Sequence, residues 1–346
     1  MRQIYLPLFS TVILSSVISC HNKDVPSLQQ GDWAAESQLN GPARSEAVSF
    51  VINNYAYVGT GWDGVNTRYN DFWKYDPDIN AWVQIISMPD AGRSSAIGMS
   101  VSGKGYVGTG FDGYNFLNDF YELDPDANVW TLKSPFPGSP RYEAVAFGIG
   151  NFGYAGTGFD GASAQKDFYQ YDPGHDLWTY MGFSGNKRYS AVAFVYNNKG
   201  YVVTGVNGAL MQTDFWVFDP SAVTQQWTEL RHINNYSSDS YDDGYTTIAR
   251  MNGSAFVIGN QAFLSTGENV GYNTNTWAYD FASDLWGLRT PFEGPATTGA
   301  VGFSLNSSAG GGGYIATGRS SPNQGGASDY LWQFFPDKTV NPNDNN

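Results

Sequence analysis

From residue 32 to residue 336, apolar positions fall in short runs of strand length, separated by Gly, Asn and Asp-Pro turn signals. One stretch shows the rule: Glu143–Ile149, Gly153–Gly158, Asp167–Tyr171 and Leu177–Met181 read as four successive strands. No segment in this region carries the 3.6-residue apolar period of an amphipathic helix. The chain is therefore expected to be all-β. The N-terminus is different: Ile4 to Ile18 is apolar almost throughout, too short to span a bilayer comfortably but long enough for a signal-peptide core.

The strand groups repeat. Thr-Gly pairs occur at 60–61, 109–110, 157–158, 204–205, 266–267 and 317–318, with steps of 49, 48, 47, 62 and 51 residues between the glycines. Seventeen residues before each of the first five glycines stands an arginine: Arg44, Arg93, Arg141, Arg188 and Arg250. In the sixth copy the Gly310–Gly313 run shifts the count, and Thr297 or Thr298 replaces the arginine. Each Thr-Gly is followed by an aromatic segment (DFWKYDP, DFYELDP, DFYQYDP, DFWVFDP, TWAYDF, YLWQFFP), and the first five of these by Trp82, Trp130, Trp178, Trp227 and Trp286. Four short strands at a period near 50 residues make the blade of a β-propeller.

The arginine before the inner strand, the glycine ending the second, the aromatic third and the closing tryptophan resemble kelch repeats. In this chain the family's double glycine is Thr-Gly in all six copies. The sixth copy lacks a downstream tryptophan, but Trp33 lies eleven residues before Arg44, the spacing of Trp82 to Arg93 and Trp130 to Arg141. The expected fold is an all-β, six-bladed kelch-type β-propeller whose N-terminal strand completes the last blade and so covers the exposed sheet edges. Residues 32–336 form the propeller and residues 337–346 a disordered tail.

Composition narrows the function. The 346 residues carry a net charge of −14, which argues against nucleic-acid and anionic-membrane surfaces. The single cysteine excludes an intramolecular disulfide. It closes Val17-Ile18-Ser19-Cys20, which resembles the lipobox of bacterial lipoproteins. That resemblance implies cleavage of a signal peptide, 1–19, lipidation of Cys20, and a tether over 20–31. The expected location is the bacterial outer membrane, facing either the periplasm or the cell exterior, with the chain monomeric and held to the membrane through its lipid anchor.

Kelch propellers open their inter-strand loops on one face, and the resemblance places the five arginines there, around the mouth of the central channel. Two readings stay open: an anion site, since guanidinium binds carboxylate in bidentate fashion, or a structural brace built into the repeat. Two residues beyond each arginine come Glu46, Ser95, Glu143, Ser190 and Asn252, which strand alternation puts on the same side. Their type varies between copies, as expected of a site. Glu46 and Glu143 are the candidate acid and base, alternatively simple partners of the arginines. From Trp227 to Arg250 is a step of 23 residues, against 10 or 11 in the other copies, an insertion of about a dozen that contains Tyr236, Asp239, Tyr241, Asp242, Asp243 and Tyr245 and reads either as a binding loop or as a tolerated surface insertion. Tyr241 and Asp242 are its candidate ligand contacts. Asp63, Asp112 and Asp160 precede glycines and are expected to form turns.

No cofactor is expected. Galactose-oxidase-type propellers hold copper with two histidines, two tyrosines and a crosslinked cysteine. Here the cysteine is assigned to lipid, His21 to the tether, and only His175 and His232 remain, so no metal site is expected. The leading expectation is an envelope-anchored propeller that binds a glycan or a protein partner on its loop face. The alternative is a sugar mutarotase similar to the N-acetylneuraminate epimerases, for which an acid, a base and a carboxylate anchor suffice.

Overall fold

A computed structural model describes residues 30–307, 310–320 and 326–340. The signal peptide, Cys20 and all but the end of the tether lie outside the described residues. Six four-stranded antiparallel sheets are arranged as the blades of a propeller. Blade 1 comprises Val48–Ile52, Tyr55–Gly59, Phe72–Asp76 and Ala81–Ile85, from channel to rim, and blades 2 to 5 repeat that order. Blade 6 joins Val301–Ser307, Gly310–Ala316 and Leu331–Thr339 to the N-terminal strand Gln30–Glu36, with Trp33 opposite Phe334. The strand expected to close the ring does so. It also extends the propeller: Gln30 pairs with Thr339 across a bulge, so residues 337–339, assigned from sequence to the tail, are strand.

Alternation along the inner strands sorts side chains between two environments. Val48, Phe50 and Ile52 are buried between blades, while Ser49 and Val51 face the channel. Small residues such as Ala47, Ala96, Ala144, Ala191 and Ala300 line the upper channel because six strands converge there. The glycine closing each early second strand makes room for the aromatic ring that opens the third: a Cβ on Gly59 would lie 2.4 Å from the Phe72 ring, and one on Gly156 2.2 Å from Phe168. The rim tryptophans stitch each blade to the preceding one. Trp82, Trp130, Trp178 and Trp227 donate their indole N–H to the carbonyls of Ser37, Ile86, Ser134 and Gly182 at 2.9–3.1 Å.

Candidate functional site

The five repeated arginines do not open onto the mouth of the channel. Arg44, Arg93, Arg141, Arg188 and Arg250 are all fully buried. Arg44 donates to both carboxylate oxygens of Asp71 (2.7 and 2.8 Å) and to the Thr60 carbonyl (3.0 Å). Arg93 repeats this with Asp119 and Thr109 and Arg141 with Asp167 and Thr157, while Arg188 reaches one carboxylate oxygen of Asp214 together with the Asp214 and Thr204 carbonyls. Burial raises the Asp71 and Asp214 carboxyls, but their arginines outweigh it and hold both below the usual range. Arg250 meets only backbone carbonyls, of Ile248, Thr266, Asn275 and Thr247. The anion-site reading of these five residues is corrected: they tie the start of each inner strand to the loop before the third, and their charge is spent there.

The positions two residues further on do meet at the channel, for a reason other than strand alternation. Glu46, Ser95, Glu143, Ser190, Asn252 and Gly299 line a cavity of about 120 Å³. All six adopt the left-handed conformation, with φ between 53° and 64°. That turn breaks the alternation, so each arginine enters its blade while its neighbour two residues on faces the channel. Five of the six are not glycine, and each left-handed residue costs on the order of 1–2 kcal/mol. A closed ring of backbone hydrogen bonds holds them. Ser95 N–H donates to Glu46, Glu143 to Ser95, Ser190 to Glu143, Asn252 to Ser190, Gly299 to Asn252, and Glu46 to Gly299, at 2.7–3.1 Å. Nothing in the sequence marks this ring, because left-handed backbone at Glu and Ser leaves no compositional signature.

Side chains on the ring are paired around it. Ser95 Oγ donates to Glu46 Oε2 at 2.9 Å, and Ser190 Oγ to Glu143 Oε2. Neither carboxylate forms an ion pair among the described residues, so the expected pairing with arginine is replaced by pairing with serine. Burial pushes Glu143 up to about 7. The Ser190 hydrogen bond opposes the shift, and the charges of Glu46 and Glu268 add to it. The neck thus holds one carboxyl that exchanges its proton near neutrality beside another carboxylate.

Above the neck, the residue after each Thr-Gly takes five different types over the six blades: Trp62, Phe111, Phe159, Val206, Glu268 and Arg319. Backbone bridges join Trp62 to Ser45 and Phe111 to Ser94, each next to a neck residue. Here two arginines outside the repeat pattern come together. Arg68 lies over Trp62 at 5.6 Å and over Phe111 at 4.7 Å, and Arg319 over the same Trp62 at 5.5 Å. Neither makes an ion pair among the described residues, and the Nε of each is buried without a partner. Arg68 does lend charge to Asp112, whose carboxyl burial raises but whose hydrogen bonds from Asn115 and Tyr114 N–H, with Arg68 last, bring below its ordinary value. Neither Arg68 nor Arg319 belongs to the repeat, so periodicity does not point to them. The signal was there in their departure from the repeat.

Asp63 Oδ1 accepts the N–H groups of Val65, Asn66 and Thr67, and Asp112 and Asp160 cap their own loops in the same way, so all three shape turns. The insertion is packed rather than free. Ile233, Tyr245 and Ile248 enter the core between blades 4 and 5, and Tyr245 Oη accepts Trp286 N–H at 2.7 Å. Asp242, expected to contact ligand, is fully buried and accepts the N–H groups of Tyr236 and Ser237, and Tyr241 lies half-buried under Arg231. Both are corrected to structural roles. Among the described residues no three His, Cys, Asp or Glu side chains gather in a metal-holding group, and no helix is long and apolar enough to cross a membrane.

Comparison with known proteins agrees with this architecture. The family model described as Kelch motif matches residues 43–89, which is blade 1 with its arginine, its Thr-Gly pair and its tryptophan. No curated protein matches the chain. The solved structure of YjhT superposes with a TM-score of 0.66 at 15% identity, over 86% of this chain and 95% of that one. Similar solved chains number 578, so likeness at this level speaks for the fold and not for a ligand. The chain is a six-bladed β-propeller with a kelch motif in its first blade.

Proposed function

We propose that the chain binds an anionic glycan at the mouth of its central channel. The observation that carries this reading is the pair Arg68 and Arg319, stacked on one indole and without an ion pair among the described residues, in a chain of net charge −14. In an acidic protein, arginines without an ion pair, held over aromatic rings, attract a carboxylate or a similar anion. The half-buried rings of Trp62, Phe111, Tyr142 and Phe159 offer sugar faces an apolar platform. The neck residues below accept or donate hydrogen bonds to hydroxyl groups. The N-terminal sequence supports anchoring through Cys20 in the outer membrane, which would present this mouth to envelope or extracellular sugars.

Thermal unfolding in the presence of N-acetylneuraminate and of neutral sugars tests the reading. Ligand at a hundred times its dissociation constant adds about 2.7 kcal/mol of stability. A rise in midpoint with the acidic sugar is expected, and Arg68→Ala should abolish it. No shift with any acidic sugar would remove the glycan reading and turn the search to protein partners.

A second reading, sugar mutarotation, is favoured by Glu143 and Glu46. A carboxyl that titrates at about 7 beside a second carboxylate suits proton transfer to and from a ring oxygen and an anomeric hydroxyl. If catalysis occurs, Glu143→Gln and Glu46→Gln lose the rate of anomer exchange, followed by NMR, while the thermal shift persists.

A further inference from the structure

The mouth is not uniform around its circumference. From Arg68 an unbroken row of rings runs over blades 2 to 4: Phe111 to Phe116 at 5.3 Å, Phe116 to Tyr142 at 5.3 Å and nearly parallel, Tyr142 to Phe159 at 5.8 Å, and Phe159 to Tyr189 at 5.1 Å. These rings are half-buried, whereas the blade phenylalanines Phe72, Phe120, Phe168 and Phe215 are fully buried, so each ring of the row keeps some exposed surface. On the opposite side the equivalent places hold Met251, Glu268, Thr298 and Arg319. The row leads into a groove of about 400 Å³ between blades 2 and 3, where Tyr114 (93% exposed), Phe116, Asn115, Ser139 and Asp160 line the walls.

We propose that this arc and groove bind an oligosaccharide whose acidic terminal unit lies at Arg68 and Arg319 and whose following units are neutral. The inference rests on the anionic-glycan reading and extends it from a single sugar to a chain. A row of five rings is longer than one sugar needs. Its mixture of aromatic faces with amide, hydroxyl and carboxylate groups matches a pyranose, which has an apolar C–H face and a hydroxyl edge. Charge decides which units sit where. Arg68 and Arg319 lie at one end of the row, whereas Asp160 lines the groove and would repel a further anion there.

Isothermal titration calorimetry on the full chain with N-acetylneuraminate, sialyllactose and lactose tests it. Sialyllactose is expected to bind at least about tenfold more tightly than N-acetylneuraminate, the gain of one or two stacking contacts. Tyr114→Ala and Tyr189→Ala should each reduce that surplus while leaving the monosaccharide affinity unchanged, and Arg68→Ala should weaken both acidic ligands. Equal affinities for the two acidic sugars would overturn the oligosaccharide proposal and leave the anionic-glycan reading standing. A surplus that neither aromatic variant alters would also overturn it. Heat from neither acidic sugar would remove the reading on which it rests.

Discussion

Glu143 occupies a strained left-handed position, is hydrogen-bonded by a neighbouring blade's serine, and has its carboxyl pushed by burial up to about 7 from an ordinary 4.5. Such a shift has a fixed sign in stability. Below pH 4.5 the group is protonated in both folded and unfolded chains and contributes nothing. Between 4.5 and 7 the folded chain keeps a proton that the unfolded chain releases, so stability falls as pH rises through that window. Glu143→Gln removes the ionisable group and keeps an acceptor for Ser190. It should match the parent at acidic pH and exceed it by about 1–3 kcal/mol near pH 8, since each pKa unit corresponds to about 1.4 kcal/mol and channel water offsets part of it. Calorimetric midpoints across this range decide the matter, and a difference that does not vary with pH would show that Glu143 ionises normally. Counting from the repeated arginine located this residue in the sequence, although strand alternation was the wrong reason. Alternation assumes extended backbone, and φ near 54° at Glu143 turns the side chain toward the channel.

At the scale of the blade, the sequence was readable because the period is carried by residues with geometric duties: glycines beside aromatic rings, tryptophans that stitch blades, arginines that brace loops. What it hid was whether those duties are met by partners far along the chain. Each of the first four arginines finds an aspartate one residue before the aromatic strand or its opening phenylalanine, but blade 5 has Asn275 there. Arg250 is therefore buried with carbonyl partners and no counter-charge, and burial lowers its pKa from the ordinary guanidinium value. Asn275→Asp should restore the brace of blades 1 to 4 and stabilise the protein by about 1–3 kcal/mol at neutral pH, because a charge-assisted bidentate pair replaces a carbonyl contact. The new aspartate, like Asp71, should titrate below its ordinary value. Its contribution is then complete above the ordinary aspartate pKa and lost as the pH falls through the depressed one. Urea unfolding at neutral and strongly acidic pH measures both effects. A loss of stability at neutral pH would show that the carbonyl shell already satisfies Arg250 and has no room for a second charge.

For the whole molecule, ring closure is what turns six similar sheets into one structure, and it is made twice at the junction of blades 6 and 1. At the neck, Glu46 N–H donates to the Gly299 carbonyl and completes the backbone ring. At the rim, the strand Gln30–Glu36 supplies the last edge of blade 6, with Trp33 N–H bonded to Glu293 and Thr290 Oγ1 bonded to the Gly31 carbonyl. Trp33 is fully buried against Phe292 at 5.0 Å, Phe334 at 4.8 Å and Phe256 at 6.0 Å, whereas Trp178, its counterpart in blade 3, is only partly buried. Opening the rim would leave the ends of the chain joined through the neck and the loops alone, and would expose the edge of Leu331–Thr339. Trp33→Ala is therefore expected to cost about 3–5 kcal/mol, the range for deleting a fully buried large aromatic side chain, and Trp178→Ala clearly less. Because no disulfide is possible in a chain with one cysteine, nothing covalent would mask the loss. Denaturant midpoints of the two variants, measured side by side, test the claim. Equal losses would mean that the closing strand contributes only its local packing and that the neck, not the rim, holds the propeller shut.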